Sequence, residues 1–173
     1  MFQNPEIALD SLPGTDEFVW QSLHPNYKRR VRLQRVLILL AFAVALSIGA
    51  FVLHFPRLPI LLLSSLWVIL AAVSLGWPTL SVPRKGYVVR DKDIVFRSGV
   101  IWRSVTAIPF NRIQHVETSN TPFDRRFDIA TLQLFTAGGA GGDLRIDGLG
   151  RDTAEQLRVF TLEKAGASIE NAR

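Results

Sequence analysis

Two apolar runs, separated by a short break that contains prolines, constrain this chain more than any other feature. Residues 36–55 read VLILLAFAVALSIGAFVLHF, residues 58–77 read LPILLLSSLWVILAAVSLGW, and neither run contains Asp, Glu, Lys or Arg. A helix of about 20 residues spans about 30 Å, the thickness of the hydrocarbon core of a bilayer. Because the remaining chain is too short to cover two such helices on all sides, the runs predict transmembrane spans.

The break between the runs predicts a tight turn at a membrane surface. Pro56 and Pro59 flank Arg57, prolines interrupt helical hydrogen bonding, and the backbone groups they free are costly to place in lipid. Residues 36–78 are therefore predicted to form a two-helix transmembrane hairpin with Arg57 at its tip.

Small residues in the two runs predict how the helices pack. Folding the hairpin at Arg57 places Gly49 opposite Ser64 and Ser65, and small side chains let two helix backbones approach each other. We interpret these serines as packing residues and not as part of a transport path.

Lysine and arginine accumulate on both sides of the hairpin but not at its tip, where only Arg57 lies. The flanking basic residues are Lys28, Arg29, Arg30, Arg32, Arg35, Arg84 and Lys85. Basic residues are retained on the cytoplasmic side of a membrane. The sequence thus predicts a multi-pass membrane protein with both termini cytoplasmic, and residues 1–35 as an N-terminal cytoplasmic segment.

Composition indicates what the basic residues contact and excludes several kinds of chemical site. The formal net charge is +5, and because the basic residues crowd the predicted membrane edges, anionic lipid headgroups explain the excess better than nucleic acid does. No nucleic-acid-binding motif is found. The chain has no cysteine, which excludes disulfides, thiolate catalysis and cysteine metal sites.

Beyond the second run the pattern changes to short apolar segments separated by turn signals, which is typical of a β domain. Residues 78–84 (PTLSVPR) are interpreted as a linker that contains prolines. Strands are predicted at residues 86–90, 94–98, 101–109, 113–119, 129–137 and 144–147. The turns between them are predicted at residues 91–93 (DKD), at Ser98 and Gly99, and at residues 138–143 (GGAGGD).

The chain closes with a predicted helix over residues 151–168. Asp152 or Thr153 is a suitable N-cap, and Gly166 is a suitable end. The helix is expected to cover one face of the sheet.

Periodicity divides this helix into two faces. Ala154, Leu157 and Phe160 form the stripe that is predicted to pack on the sheet, whereas Val159 and Leu162 lie on another face. We identify Val159 and Leu162 as candidate partner-binding residues, because apolar side chains outside the core are available for contact with another surface.

Several segments resemble the bacterial pleckstrin-homology-like (PH-like) membrane proteins of the YdbS type over roughly residues 20–165. The resemblance is carried by WQSLHPNY at residues 20–27, Tyr87, Arg97 with Gly99, IPFNRIQHVE at residues 108–117 and TLQLFTAGG at residues 131–139. The family pattern has glycine after Phe127, where this chain has Asp128, and aspartate can also adopt left-handed turn conformations.

The resemblance implies a membrane-anchored α+β protein of the bacterial inner (plasma) membrane. The two-helix hairpin would be followed, at residues 84–168, by a PH-like cytoplasmic domain, a β-barrel or sandwich with a C-terminal helix. Family membership implies no catalytic residues.

The residues themselves offer little support for an enzyme. His24, His54 and His115 are too dispersed to form one metal site, and residues 138–143 lack the Lys-Ser or Lys-Thr that follows a phosphate-binding loop. Asp124 and Asp128 flank two arginines, so pairing or solvation explains them. We expect no catalytic, cofactor-binding or metal site, and no cofactor.

Binding is the function class that the sequence favours. Lipid recognition by the PH-like domain is not supported, because the loops at residues 91–93 and 138–143 are acidic or rich in glycine. The protein is interpreted as a non-catalytic interaction or assembly module that binds a membrane protein partner or a second copy of itself. The alternative is an accessory subunit of a membrane transport or export system, in which the spans do the work.

Overall fold

Two long helices dominate the first half of the computed structural model, which describes residues 18–54, 56–136 and 144–170. Helix α1 covers Pro25–Val52 and helix α2 covers Arg57–Ser81. Both are long and apolar enough to cross a membrane. Pro56 is the N-cap of α2 and Pro59 lies in its first turn, where a backbone N–H has no acceptor within the helix.

Helix α2 continues through Pro78 to Ser81, so the interpretation of residues 78–84 as a linker is wrong for its first half. Proline has no N–H, and Pro78 therefore leaves the carbonyl of Ser74 without its usual donor. The guanidinium of Arg35 in α1 donates to this carbonyl instead. The proline is accommodated because the neighbouring helix supplies the missing hydrogen bond.

Gly49 does not mediate the packing of α1 on α2, which corrects the prediction. A Cβ atom added to Gly49 would meet nothing within 4 Å. The helices instead form a small, open cavity between them, lined by Ala43, Leu46, Ser47, Ala50, Ile60, Ser64 and Trp67. The α1 residues of this set recur at a spacing of three and four, which defines one helix face, and Gly49 lies outside that face.

Two antiparallel sheets and three shorter helical segments form the rest of the molecule. The four-stranded sheet has the order β1 (Gln21–Ser22), β2 (Gly86–Val89), β3 (Asp93–Ser98) and β4 (Ser104–Pro109). The three-stranded sheet has the order β5 (Ile113–Ser119), β6 (Ile129–Thr136) and β7 (Leu144–Gly150). The helical segments are a 3-10 helix (Phe110–Arg112), α3 (Pro122–Arg126) and α4 (Arg151–Glu170).

The four-stranded sheet takes its first strand from the chain that precedes the helical hairpin. Gln21 and Ser22 pair with the start of β2, and Leu23 and Tyr27 are buried in the same hydrophobic core as the two sheets. The hairpin is thus inserted between β1 and β2. The PH-like domain was predicted to begin at residue 84, but it also includes residues of the predicted N-terminal segment. Residues 1–17 of that segment lie outside the described residues.

Tyr27 docks on β7 at a position that only glycine can occupy. Gly148 has a φ of +79°, and a Cβ atom there would lie 2.2 Å from Cγ of the Tyr27 ring. The Lys85 ammonium lies 5.5 Å from the centre of the same ring. Tyr27 therefore joins α1 to the three-stranded sheet and to the chain that leaves α2.

The other strands follow the predicted pattern, with differences at their ends. β5 has the predicted bounds. β4 begins at Ser104 because residues 101–103 belong to the preceding turn, and β7 extends to Gly150 instead of ending at residue 147. Asp128, where the family pattern has glycine, has a φ of +55°, so the aspartate adopts the left-handed turn conformation. Ala137 and residues 138–143 lie outside the described residues.

Helix α4 differs from the prediction at both ends. It begins at Arg151, directly after β7, and continues past Gly166 to Glu170. The predicted core stripe is confirmed, since Ala154 is fully buried and Leu157 and Phe160 pack against the core.

Candidate interaction surface

The exposed face of α4 carries both residues that the sequence identified as candidates for partner binding. Val159 is 44% exposed and Leu162 is 40% exposed, whereas the core face of the same helix buries Ala154 and Thr161. Periodicity therefore separated the two faces of α4 correctly, while partner binding itself stays a prediction.

A shallow groove on this face combines apolar and acidic side chains. It is lined by Asp152, Glu155, Gln156, Val159, Phe160 and Glu163. These residues recur at spacings of three, four and seven, so they share one face of the helix. Leu162 borders this face without lining the groove. We call the groove together with Leu162 the α4 surface.

The acidic residues of the α4 surface were not identified from the sequence. Asp152, Glu155 and Glu163 are separated by three and eight residues, so helical periodicity places all three beside Val159. The spacing of these acidic residues could have identified them, but only apolar residues were considered when the faces of the helix were assigned. The α4 surface is an acidic region on a chain whose formal net charge is +5.

Hydrogen bonds fix Glu155 and the rim of the groove. Arg158 donates to both carboxylate oxygens of Glu155, with Nε to Oε1 at 3.1 Å and Nε to Oε2 at 3.0 Å, and the Thr118 hydroxyl lies 3.5 Å from Oε2. The hydrogen bond from Arg158 lowers the pKa of the Glu155 carboxyl, so it is charged near neutral pH. Phe160 packs edge-on against Phe110 with 5.8 Å between ring centres.

A polar cleft adjoins the groove where α4 begins. It is lined by Thr118, Ser119, Asn120, Asp128, Ala130, Arg151, Asp152 and Glu155. Because Asp152 and Glu155 line both depressions, the cleft and the groove form one continuous surface. Its composition provides hydrogen-bonding groups at one end and apolar area at the other.

The three histidines lie apart, in different local environments. His24 is the N-cap of α1 and accepts a hydrogen bond from the Asn26 backbone at 3.3 Å. His54 lies at the hairpin tip with a φ of +48°, and the ring of His115 packs 5.6 Å from that of Phe135. Within the described part of the chain, no group of three or more His, Asp or Glu residues is placed to hold a metal ion.

Asp124 connects α1 to α3 through hydrogen bonds of its side chain. From the sequence, this residue was explained by pairing or solvation, and its structural role was not identified. Its carboxylate accepts hydrogen bonds from Arg30 Nε at 2.7 Å and from the backbone and hydroxyl of Thr121 at 3.0 and 2.7 Å. Burial raises the pKa of Asp124, but the hydrogen bonds from Thr121 and the charge of Arg30 outweigh it and the net pKa is lowered. The TPFD sequence is a capping-box pattern that could have revealed this role.

Comparisons with known proteins agree with this architecture. A family model described as "Bacterial PH domain" matches residues 34–165. The UPF0699 transmembrane protein YdbS of Bacillus subtilis (strain 168) is 26% identical over 119 residues, which cover 66% of this chain and 75% of that protein. No solved structure matches. The region matched by the family model begins within α1, after β1, and includes the rest of α1 and the whole of α2.

Proposed function

Since the chain belongs to the bacterial PH domain family, we propose that it holds a PH-like domain at the bacterial inner membrane, where the domain is a non-catalytic interaction or assembly module. The exposed apolar residues of the α4 surface carry this proposal, because apolar side chains within an acidic groove provide a contact site for another protein. The two apolar helices and the transmembrane relative support the membrane location.

The pairing of β1 with β2 supports a topology in which both ends of the hairpin lie on one side of the membrane. Two strands can form hydrogen bonds only in one compartment, and the hairpin separates these two strands in the sequence. The chain therefore crosses the membrane an even number of times between them. The basic residues beside the hairpin favour the cytoplasm for that side.

Cysteine labelling tests the topology, because the natural chain has no cysteine. In intact cells whose outer barrier is permeable to the reagent, a thiol reagent that cannot cross the inner membrane should label Arg57→Cys. The same reagent should label Lys92→Cys, in the exposed β2–β3 turn, only after lysis. Labelling of Lys92→Cys in intact cells, without labelling of Arg57→Cys, would reverse the topology.

The chemistry of the α4 surface defines the proposed partner. Val159 and Leu162 suit an apolar side chain, and Asp152 and Glu163 suit basic residues beside it, whereas Glu155 is already paired with Arg158. An acidic surface is repelled by anionic lipid, so this face is directed at a protein. The proposed partner is a membrane protein that presents apolar residues flanked by lysine or arginine.

Site-specific crosslinking tests this partner. A photoreactive residue at Gln156 should give an adduct in native membranes, and Val159→Lys with Leu162→Lys should remove it by placing two charges in the contact. Val19→Lys is a matched control because Val19 is 86% exposed and outside the α4 surface. An adduct to a second copy of the chain would indicate self-association, and the absence of any adduct would reject the α4 surface.

The alternative function, an accessory subunit of a transport or export system, depends on the spans. Trp67 Nε1 has no hydrogen-bond partner among residues 18–54, 56–136 and 144–170, and Trp67 lines the cavity with Ser47 and Ser64. Because Nε1 is buried, a polar group of another membrane helix would reach it only after a shift of Trp67 or of α1. Replacing residues 36–73 by an unrelated apolar hairpin should leave the Gln156 adduct intact if the PH-like domain binds, and should remove it if the spans bind.

A further inference from the structure

The turn between β3 and β4 exposes large apolar side chains. Ile101 is 70% exposed and Trp102 is 87% exposed. Gly99 has a φ of +106°, and a Cβ atom there would lie 1.7 Å from the carbonyl oxygen of Trp102. Only glycine at position 99 lets the chain turn this tightly between β3 and β4. The side chains of Ile101 and Trp102 at the tip of the turn are exposed.

This turn lies at the end of the four-stranded sheet where the chain arrives from α2. Only residues 82–85 separate α2 from β2, and Gly86 at the start of β2 pairs with Arg97 near the end of β3. Arg84 Nη1 also donates to the carbonyl of Val100 at 3.1 Å. The β3–β4 turn is thus joined directly to the segment that leaves the predicted membrane span.

A basic pocket lies beside the exposed residues. Its lining includes Arg84, Arg97, Arg103, Ser98 and Ser104. The guanidinium of Arg97 lies 4.4 Å from the centre of the Trp20 ring, which holds it in place. Three guanidinium groups and two hydroxyls are donors that suit phosphate oxygens.

We propose that the β3–β4 turn docks on the cytoplasmic leaflet of the membrane, with Ile101 and Trp102 in the interface and Arg84, Arg97 and Arg103 against anionic phospholipid headgroups. This inference rests on the membrane anchoring proposed above. Tryptophan is enriched at membrane interfaces, and each basic residue near an anionic leaflet favours attachment. A bilayer fits better than a protein partner because the turn is contiguous with the end of α2.

The location of the turn also explains why the sequence did not indicate lipid contact. Residues 91–93 lie at the turn from β2 into the start of β3, at the opposite end of the sheet, so their acidic character has no bearing on the end nearest the hairpin. Residues 98–104 were assigned in part to a strand. Their apolar and basic residues were therefore not considered as a surface.

Spin labels in the full-length protein test the docking. Single cysteines at Trp102, Val44 and Lys92 would be labelled in separate variants and placed in phosphatidylcholine nanodiscs with or without phosphatidylglycerol. Val44, in the middle of the apolar run at residues 36–55, should collide with oxygen and be shielded from a water-soluble nickel complex. Trp102 should show the same pattern in nanodiscs that contain phosphatidylglycerol, whereas Lys92 should stay accessible to nickel.

The contribution of the arginines is tested by Arg103→Gln. Removal of one positive charge should lower the ratio of docked to undocked turn about fivefold in phosphatidylglycerol nanodiscs, and high salt should weaken docking. Arg112→Gln is the matched control, because this exposed arginine lies beyond the far end of β4. Thermal unfolding of each variant establishes that the fold is retained.

The outcomes separate the docking from its premise. If the label at Trp102 is accessible to nickel while that at Val44 is immersed, the docking is overturned and the anchoring stands. If Val44 is also accessible to nickel, the anchoring itself fails. Immersion of Trp102 that is equal in both lipids and insensitive to Arg103→Gln overturns the headgroup contact, and shielding from both collision reagents assigns the turn to a protein interface.

Discussion

The two sheets of the PH-like domain differ in where their strands come from. The three-stranded sheet and α4 are built from consecutive elements, β5 to α4. The four-stranded sheet combines β1, which precedes the helical hairpin, with three strands that follow it. The hairpin is therefore an insertion into the domain, and residues on both sides of it hold one core together. Stability of the domain and arrangement of the helices are coupled for this reason.

We expect the largest loss of stability when the core residues that precede the hairpin are removed. A fragment of residues 84–173 lacks Leu23 and Tyr27, and burial of each such side chain contributes about 1.5–3 kcal/mol. We expect this fragment to be unfolded or marginally stable. A chain in which a short Gly/Ser linker joins Gln34 to Leu75 should fold, because the bond from Arg35 to Ser74 brings these ends close.

Circular dichroism and thermal unfolding of the two proteins provide the measurement. Equal stability of the 84–173 fragment and the linked chain would break the comparison, since it would show that β1 and Tyr27 are dispensable.

A second large effect is expected where Tyr27 meets the three-stranded sheet. Gly148→Ala places a Cβ atom against the ring and forces a positive φ on alanine, so we expect a loss of about 2–4 kcal/mol of unfolding free energy. Denaturant unfolding measures it. Gly166→Ala is the matched control, because it lies in α4 with nothing near its added Cβ and should stabilise the protein by up to about 1 kcal/mol.

The steric part of the Gly148 effect can be isolated with Tyr27→Ala. In the Tyr27→Ala background, Gly148→Ala should cost clearly less, because only the backbone strain remains. An equal cost in both backgrounds would show that contact with the Tyr27 ring does not cause the loss of stability.

A moderate, pH-dependent effect is expected at Asp124. Its pKa is lowered in the folded protein, so its contribution is present above the unfolded pKa of about 3.9 and is lost as the pH falls through the folded pKa. Asp124→Asn should reduce the unfolding free energy by about 1–3 kcal/mol at pH 7. The difference from the natural protein should shrink as the pH falls below about 4.

Denaturant unfolding at several pH values checks this prediction. Glu117→Gln, at an exposed position of β5, should change stability by less than about 0.5 kcal/mol at pH 7. A difference for Asp124→Asn that is constant with pH would contradict the ionic role of Asp124.

The smallest effect is expected within the hairpin. Arg35→Gln should weaken the bond to the Ser74 carbonyl and cost about 1 kcal/mol. Pro78→Ala restores a backbone donor to that carbonyl, so Arg35→Gln should cost less in the Pro78→Ala background. A double-mutant cycle in mild detergent measures the coupling, and additive effects would exclude compensation between these two residues.

The elements that were predicted correctly have a local signal. Residues 113–119 were assigned to a strand with the observed bounds, and the spacing of Ala154, Leu157 and Phe160 identified the buried face of α4. Length and lack of charge identified the two long helices. In each case the pattern along a single segment was sufficient.

The elements that were missed depend on contacts between distant residues. β1 has two residues, which is too short for any periodic pattern, and the burial of Tyr27 requires Gly148. Pro78 was interpreted as the end of a helix, because proline lacks the N–H that continues helical hydrogen bonding. The donor that Arg35 supplies in its place cannot be inferred from the sequence. Residues 101–102 are as apolar as a buried strand, and only Gly99 signalled that they form a turn.

The insertion of the hairpin between β1 and β2 imposes an order on biosynthesis. β1 leaves the ribosome first, but it has no partner until residues 23–85 have followed, which takes about 3–13 s at about 5–20 residues per second. If the hairpin spans the membrane as we propose, a chain that inserted only one of its helices would leave β1 and β2 in different compartments, and its core could not close. In that topology, completion of the sheet requires correct insertion, and wrongly inserted chains stay open to proteolysis.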